Sequence, residues 1–439
     1  MDKTTMDKTT KDDLKIIIDK FMKDFDSLGY EVNKELKKAI LLAEFSEKNI
    51  IVSGSAGTGK STFIDLFKAN TKKNVVVLAP TGVAAVNVGG VTIHSFFRLA
   101  FGIINKYAII YSNREIVNNI DVIVIDEISM VRVDLMDAID YQLRALTGNS
   151  NKPFGGIKIV AVGDLFQLPP IVQRGSPDER YIRDTFYSPW FFSAPEIGDF
   201  TVVELNKIYR QHDEKFTSVL NKIRIGKQSW DDLKYINSRV VKEEELGDGY
   251  IYLSTINKTA DKINKEKLAE INEPSKHYYS SITGDFPFNS YPAPADLELK
   301  IGAQVMILRN GPNWYNGQIG TIVKLTDYSI SVMLDNIVYE VSKEKWINGD
   351  YELKNGKVQI VEKGTFFQYP LKLAYAITIH KSQSKTYDKV YIDLGNGAFS
   401  AGQTYVALSR CKTLEGIGLK YKIEKRDIIV DKVLQENFT

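Results

Sequence analysis

Asn49-Ile50-Ile51-Val52-Ser53-Gly54-Ser55-Ala56-Gly57-Thr58-Gly59-Lys60-Ser61-Thr62 is the stretch that decides the fold. A β-branched apolar run gives way to a turn of the pattern G-x-x-x-x-G-K-[ST], and helix-like residues 62–68 follow. Strand, glycine-rich turn and helix in that order present backbone N–H groups to a polyphosphate. The glycines let the chain wrap the phosphates, Lys60 places a point charge on the β and γ phosphates, and Ser61 offers its hydroxyl to magnesium. Gly54, Ser55, Ala56, Gly57, Thr58, Gly59, Lys60, Ser61 and Thr62 are therefore the candidate ATP-binding residues, with Ser61 a candidate Mg2+ ligand.

Working outward, further short apolar runs at 75–79, 121–125 and 157–162 alternate with longer segments. Near-continuous apolar strands between helices predict a parallel sheet covered on both faces. Asp126-Glu127 closes the third run, so two carboxylates emerge at the carboxyl edge of that sheet, where α/β ligands bind. The spacing assigns Asp126 to magnesium and Glu127 to the water that attacks the γ-phosphate. A fourth run ends in Gly163-Asp164-Leu165-Phe166-Gln167-Leu168-Pro169-Pro170, which places Gln167 to sense the γ-phosphate on a proline-stiffened loop. An acidic pair at a strand end is ordinarily a solvated turn; its distance from the phosphate loop reverses that reading.

A second set of apolar runs, at 250–253, 389–393 and 416–421, with a helical stretch at 261–271, predicts a second α/β domain. Between its halves, from about 272 to 367, β-runs at 303–308, 320–324, 329–334 and 337–341 with Gly turns predict an inserted β-rich module. Residues 14–28 carry Leu14, Ile17, Phe21, Phe25 and Leu28 at helical spacing, an amphipathic helix in expectation. Residues 1–10 are a five-residue unit written twice and carry no fold signal. With 57 Lys and Arg against 55 Asp and Glu, overall charge does not announce nucleic acid, so any basic track must be local. The single cysteine, Cys411, excludes an internal disulfide and a zinc cluster. No apolar run reaches the roughly eighteen residues of a membrane span and no signal-peptide pattern opens the chain, so no membrane partner and a cytoplasmic, nucleoid-associated location are expected.

These segments, with Ala79-Pro80-Thr81-Gly82, Thr92-Ile93-His94-Ser95-Phe96, Tyr209-Arg210-Gln211, Thr378-Ile379-His380-Lys381-Ser382-Gln383 and Tyr405-Val406-Ala407-Leu408-Ser409-Arg410, follow the order of superfamily 1 helicase motifs. The loop at 163–170, with Pro153-Phe154-Gly155-Gly156 upstream, is similar to bacterial members of the PIF (petite integration frequency) helicases. The resemblance implies two RecA-like domains facing each other across ATP, at 11–203 and at 204–271 with 368–439. It also implies an SH3-like barrel at 272–367 and a small wedge-like insertion, placed at about 97–119. Arg210 and Arg410 would be arginine fingers, and Gln383 would join the nucleotide site. Thr81, Gly82, His94, Ser95 and Phe96 from the first domain, and His380, Lys381 and Ser382 from the second, would touch DNA. The implied activity is ATP- and Mg2+-dependent 5′-to-3′ unwinding on single-stranded and forked DNA by a monomer. The inserted barrel is then either a clamp over the strand or a passive module.

The chain departs from the family pattern twice. Leu36, in Asn33-Lys34-Glu35-Leu36, stands where an adenine-reading glutamine is usual, which removes an amide that would separate ATP from GTP. Ser384 replaces the glycine that ordinarily follows Gln383. Rival readings are a catalytically dead scaffold, a small-molecule kinase on the same loop, and a motor that works on RNA or translocates without unwinding. The intact Lys60, Asp126, Glu127, Gln167, Arg210 and Arg410 weigh against the first, and the second α/β domain against the second.

Overall fold

The computed structural model describes residues 33–100, 102–106, 113–173, 175–209, 213–247, 249–383 and 385–438. The repeat at 1–10 and the helix expected over 14–28 lie outside them.

Two parallel sheets organise the chain. The first has six strands in the order Val91–Thr92, Val75–Ala79, Val122–Ile125, Lys158–Gly163, Asn49–Gly54 and Phe200–Leu205. Alternate residues of its central strands enter separate cores: Ile51, Val76, Leu78, Ile123, Ile125 and Ile159 on one face, Ile50, Val52, Val77, Val124, Val160 and Val162 on the other. Burial on both faces is why these strands read as unbroken apolar runs. Helix Lys34–Phe45 covers one face, with Asn33 capping it through the Leu36 N–H at 2.8 Å. Its other end is held by Lys158, whose ammonium donates to the Leu42, Ala43 and Ser46 carbonyls. A lysine suits the carbonyl end of a helix dipole.

The second sheet has four parallel strands, Ala376–Thr378, Ile251–Ser254, Val390–Asp393 and Ile417–Leu419. The inserted region contains a five-stranded antiparallel sheet, in the order Ile337–Val341, Ile330–Leu334, Ile319–Leu325, Gln304–Ile307 and Leu371–Leu373. Around it lie the pair Lys276–Tyr279 and Asp296–Leu299, and a three-stranded sheet that centres on a long hairpin, Glu344–Lys354 with Lys357–Gln368.

That hairpin reaches back to the first sheet. Tyr351, 5% exposed, accepts the Val77 N–H at 2.8 Å on the stretch of edge strand that Val91–Thr92 leaves uncovered. At its tip the Asn74 amide donates to the Gly356 carbonyl at 3.1 Å, and the Lys357 ammonium to the Lys72 carbonyl at 3.1 Å. An otherwise unpaired edge is thereby covered.

Three expected boundaries fall elsewhere, and the segment placed as a wedge packs on the first core. The division after 203 falls inside strand Phe200–Leu205, whose Glu204 and Leu205 still pair with Ser53 and Gly54. The inserted region does not close at 367, because Leu371–Leu373 completes its sheet against Val305, Met306 and Ile307. The C-terminal helix Lys432–Phe438, expected with the second domain, seats Leu434 in the first core and Phe438 edge-on to Phe192. The segment placed at 97–119 as a wedge buries Phe97, Ile104, Ile116 and Val117 in that same core, and Lys106 pairs with Asp137 at 2.9 Å. Apolar anchoring explains why its described parts lie against the body; residues 101 and 107–112 are outside the described set.

Candidate active site and nucleic-acid face

Strand Asn49–Gly54 delivers the phosphate loop, and helix Lys60–Asn70 starts with Gly59 in the left-handed region at φ 92°. Gly54 admits no side chain, since a Cβ there would lie 2.5 Å from Thr58 Oγ1 and 2.8 Å from the Leu205 carbonyl. The Lys60 ammonium donates to the Gly54 and Ser55 carbonyls at 2.8 and 2.9 Å, and Ser61 is exposed at the helix start. With no acidic residue in its first turn, this helix presents an uncancelled positive end to the loop.

Asp126 and Glu127 leave strand Val122–Ile125 beside this loop. Burial, then the charge of Glu127, raises the Asp126 carboxyl to about 7 against the pull of Lys60. Glu127 sits at φ 51°, ψ 45°, a conformation costly for a non-glycine residue and typical of functional sites. Two adjacent carboxylates, with the Asp126 pKa raised, fit a divalent cation. Among the described residues no group of three or more His, Cys, Asp or Glu could cage one. The donor set therefore suits Mg2+ held largely by phosphate and water.

The 163–170 loop is where the two sheets meet. Asp164, 1% exposed, accepts from Arg224 Nε at 3.0 Å and from the Tyr405 hydroxyl at 2.9 Å. Burial alone would raise its pKa, but the charges of Arg224 and Lys60 and the Tyr405 hydrogen bond win and lower it. The Arg224 guanidinium also lies over the Phe166 ring at 4.7 Å. The Tyr405 oxygen accepts the Ala56 N–H of the phosphate loop at 3.4 Å, so one hydroxyl bridges both loops. Gly402 packs so closely that a Cβ would stand 2.2 Å from the Gln167 carbonyl. Gln167 is buried, with its amide 3.3 Å from Asp164 Oδ2, and Gln383 donates to its Oε1 at 3.5 Å. Gln167 and Gln383 are thus brought together across the cleft.

Arg410 is fully buried and braces the 380–385 turn. It donates to the Val406, Ser382 and Lys385 carbonyls at 2.9, 3.2 and 3.1 Å. Arg210 lies outside the described residues, but its neighbour Tyr209 donates its N–H to the Gly57 carbonyl at 2.9 Å. Leu36 is buried in the core. Asn33 accepts the Leu36 N–H with its amide oxygen and donates from its amide nitrogen to the Tyr209 hydroxyl at 3.3 Å.

The expected DNA-facing residues divide. Thr81, Ser95 and Lys381 are exposed, and Gly82, His94 and His380 are half-buried. Burial, then Arg132, lowers the His94 pKa, and burial lowers that of His380. Phe96 does not fit a base-stacking role. It is 4% exposed, with its ring edge-on to Phe97 at 4.9 Å and Tyr351 at 5.8 Å, because the long hairpin covers it. The Ser382 hydroxyl is buried too and donates to the Ile379 carbonyl at 2.7 Å, shaping the turn rather than facing solvent. Asp164, Arg224 and Tyr405 were not expected as site residues. Asp164 and Tyr405 stand inside motifs already quoted; Arg224 carried one signal, an arginine on the apolar face of helix Glu214–Arg224 beside Phe216, Leu220 and Ile223.

Fold and site together define a class: P-loop proteins in which a second parallel sheet supplies residues across the nucleotide loop borne by the first. Residues 31–233 match the PIF1-like helicase family. The ATP-dependent DNA helicase Pif1 of Bdellovibrio bacteriovorus is 34% identical over 424 residues, covering 92% of this chain and 91% of its own. The chain belongs to the PIF1-like helicase family. Crystallographic Pif1 from Bacteroides sp. in complex with ADP-AlF4 superposes with a TM-score of 0.87 at 38% identity, over 93% of this chain and 96% of that one. Bacteroides Pif1 bound to single-stranded DNA, at the same identity and coverage, gives 0.67, so the parts here are arranged more as in the former.

Proposed function

We propose that this chain is an ATP-dependent DNA helicase that moves 5′ to 3′ along a single strand and unwinds the duplex ahead of it. The observation that carries the reading is the double contact across the cleft, Ala56 N–H to Tyr405 and Gln383 to Gln167. Any change in the phosphate loop is felt by residues of the second sheet. In this reading the first motor unit runs through strand Phe200–Leu205, the second is built on strands Ile251–Ser254 and 376–419, and the five-stranded antiparallel sheet is the SH3-like barrel between them.

Each residue has a task. The loop from Gly54 to Thr62 wraps the phosphates, and Lys60 exchanges its carbonyl partners for phosphate oxygens. Ser61 and Asp126 would hold Mg2+, which when bound neutralises charge on the transferring phosphoryl group. Glu127 orients and polarises the attacking water, and Gln167 with Gln383 registers the γ-phosphate. Arg210 and Arg410 stabilise developing charge when the units close, and Arg410 at the same time holds the turn that bears Lys381. Thr81, Gly82, Ser95 and Lys381 contact the strand, with His94 and His380 behind them. Backbone contacts of this kind carry no sequence preference.

The test is strand separation of partial duplexes bearing a 5′ or a 3′ single-stranded tail, with ATP and Mg2+. Opening of the 5′-tailed duplex alone is expected. ATP hydrolysis stimulated by single strands without opening of either would make the chain a translocase and overturn the unwinding claim, and stimulation by RNA alone would replace the substrate.

A further inference from the structure

A cavity of about 350 Å3 lies between the second parallel sheet and the inserted strands, within the ~300–1,000 Å3 range of ligand pockets. It sits at the carboxyl edge of the sheet. Thr378, which ends strand Ala376–Thr378, and Asn257, which begins the helix after strand Ile251–Ser254, both line it. Leu297 and Leu373 wall it from the inserted side.

Lys372 and Lys381 both enter this cavity, and neither has an ion pair or a side-chain hydrogen bond among the described residues. Burial, reinforced by the charges of Lys385 and Lys381, holds Lys372 well below the ordinary ammonium range, and burial pushes Lys385 down to about 8. The acids of the lining do not relieve them: Asp296 faces His277 at 2.8 Å, Glu298 accepts from the Ser275 hydroxyl at 2.7 Å, and Asp261 is exposed on its helix. Helix Asn257–Glu270, of 14 residues, adds its positive end with no side chain capping the first turn. Lys372 and Lys381, unpaired among the described residues and sharing one lining, cost the fold free energy, because their charges repel and Lys372 gives up part of its hydration while Lys381 stays exposed. A compact anion with oxygens on several sides relieves that cost.

We propose that Lys372 and Lys381 hold one backbone phosphate of a DNA single strand in this cavity, so that the strand runs between the second sheet and the inserted module. The proposal rests on the DNA-motor reading above. Lys381 belongs to a helicase motif, whereas Lys372 belongs to none of those quoted and is the new assignment.

Binding of labelled oligo(dT) to the full chain, followed against salt, tests it. A phosphate contact on a single strand contributes about 0.7 to the slope of log affinity against log salt, so Lys372→Gln should lower the slope by about 0.7 and weaken binding roughly fivefold at about 0.1 M salt. Lys372→Arg should restore both. The thermal midpoint of Lys372→Gln should rise, since an uncompensated charge is removed; a midpoint that falls along with affinity would mark a structural lysine and overturn the proposal. An unchanged slope in Lys372→Gln, beside a lowered one in Lys381→Ala, would also overturn it while leaving the DNA-motor reading intact. No oligo(dT) binding by the unaltered chain would overturn that reading itself. Inorganic phosphate that raises the midpoint of the unaltered chain but not of Lys372→Gln, with oligo(dT) binding equal in the two, would assign the cavity to free phosphate and refute the DNA assignment.

Discussion

Arg224→Met should be among the most destabilising single changes away from the apolar cores. Asp164 is 1% exposed and Arg224 8%, and they meet at 3.0 Å. Methionine fills much of the space but strands the carboxylate with the Tyr405 hydroxyl, the Phe166 N–H and the Gln167 amide. Removing one partner of a buried pair costs about 3–5 kcal/mol, and the lost stacking on Phe166 adds about 0.5–2 kcal/mol. For a unit of this size the pair alone corresponds to a fall of roughly 6–20 °C in Tm, to be read by calorimetry at neutral pH. The pH dependence has a definite sign. The folded Asp164 pKa is lowered, so its stabilisation is present above the ordinary carboxylate range and is lost as pH falls through the folded value. In the variant burial prevails and raises that pKa, so the gap between the two proteins should narrow in acid. Adding Asp164→Asn to Arg224→Met should recover part of the loss, because no stranded charge remains. A loss under about 1 kcal/mol, or a double variant as unstable as the single one, would refute the ion-pair reasoning.

Glu127→Gln should bind ATP and hydrolyse it at least about 10²-fold more slowly, as removal of a general base does; near-normal turnover in a coupled ATPase assay would remove Glu127 from catalysis. Asp126 holds its proton more tightly in the fold than in the unfolded chain, with a folded value of about 7. It therefore costs stability as pH rises above the unfolded carboxylate range, the cost reaching its full size near 7. Asp126→Asn should then raise the nucleotide-free Tm at pH 8 but not at pH 4, and equal shifts at both would contradict the raised pKa. With Leu36 in the core and the Asn33 amide engaged on both sides, ATP and GTP should be turned over within roughly tenfold of each other in kcat/KM, since large discrimination needs a buried group left unpaired by the wrong base. A preference above about 10³ would mean another group reads the base.

The parts legible in the sequence were those whose signal is local. The phosphate loop, the strands that carry Asp126 and Asp164, and the second sheet are short apolar runs that punctuate the chain. Strand Phe200–Leu205 was not read because Glu204 interrupts its apolar run, as an edge position allows. The long hairpin was missed for a related reason: most of its residues face solvent and alternate with lysine and glutamate, while Trp346, Tyr351 and Phe366 alone are large and buried. The burial of Phe96 and Ser382, which the motifs did not announce, has one cause. A motif fixes which residues gather, but which of them faces outward depends on segments distant in sequence. Here the covering residue is Tyr351, and for Ser382 it is the turn that Arg410 braces.

The hairpin has a mechanical consequence. The inserted module is joined covalently to the second sheet at both of its ends, and Tyr351 with the Gly356 tip fastens it to the first. Chain and contacts together close a ring whose reversible links, among the described residues, include the Tyr351 hydroxyl, the two hydrogen bonds at the hairpin tip and the close seat of Gly82 against Ser290. A polymer can enter such a ring by its end with the links intact, whereas entry from the side requires the links to break. On the DNA-motor reading proposed above, the opening of these contacts would set how fast a strand that offers no end is engaged.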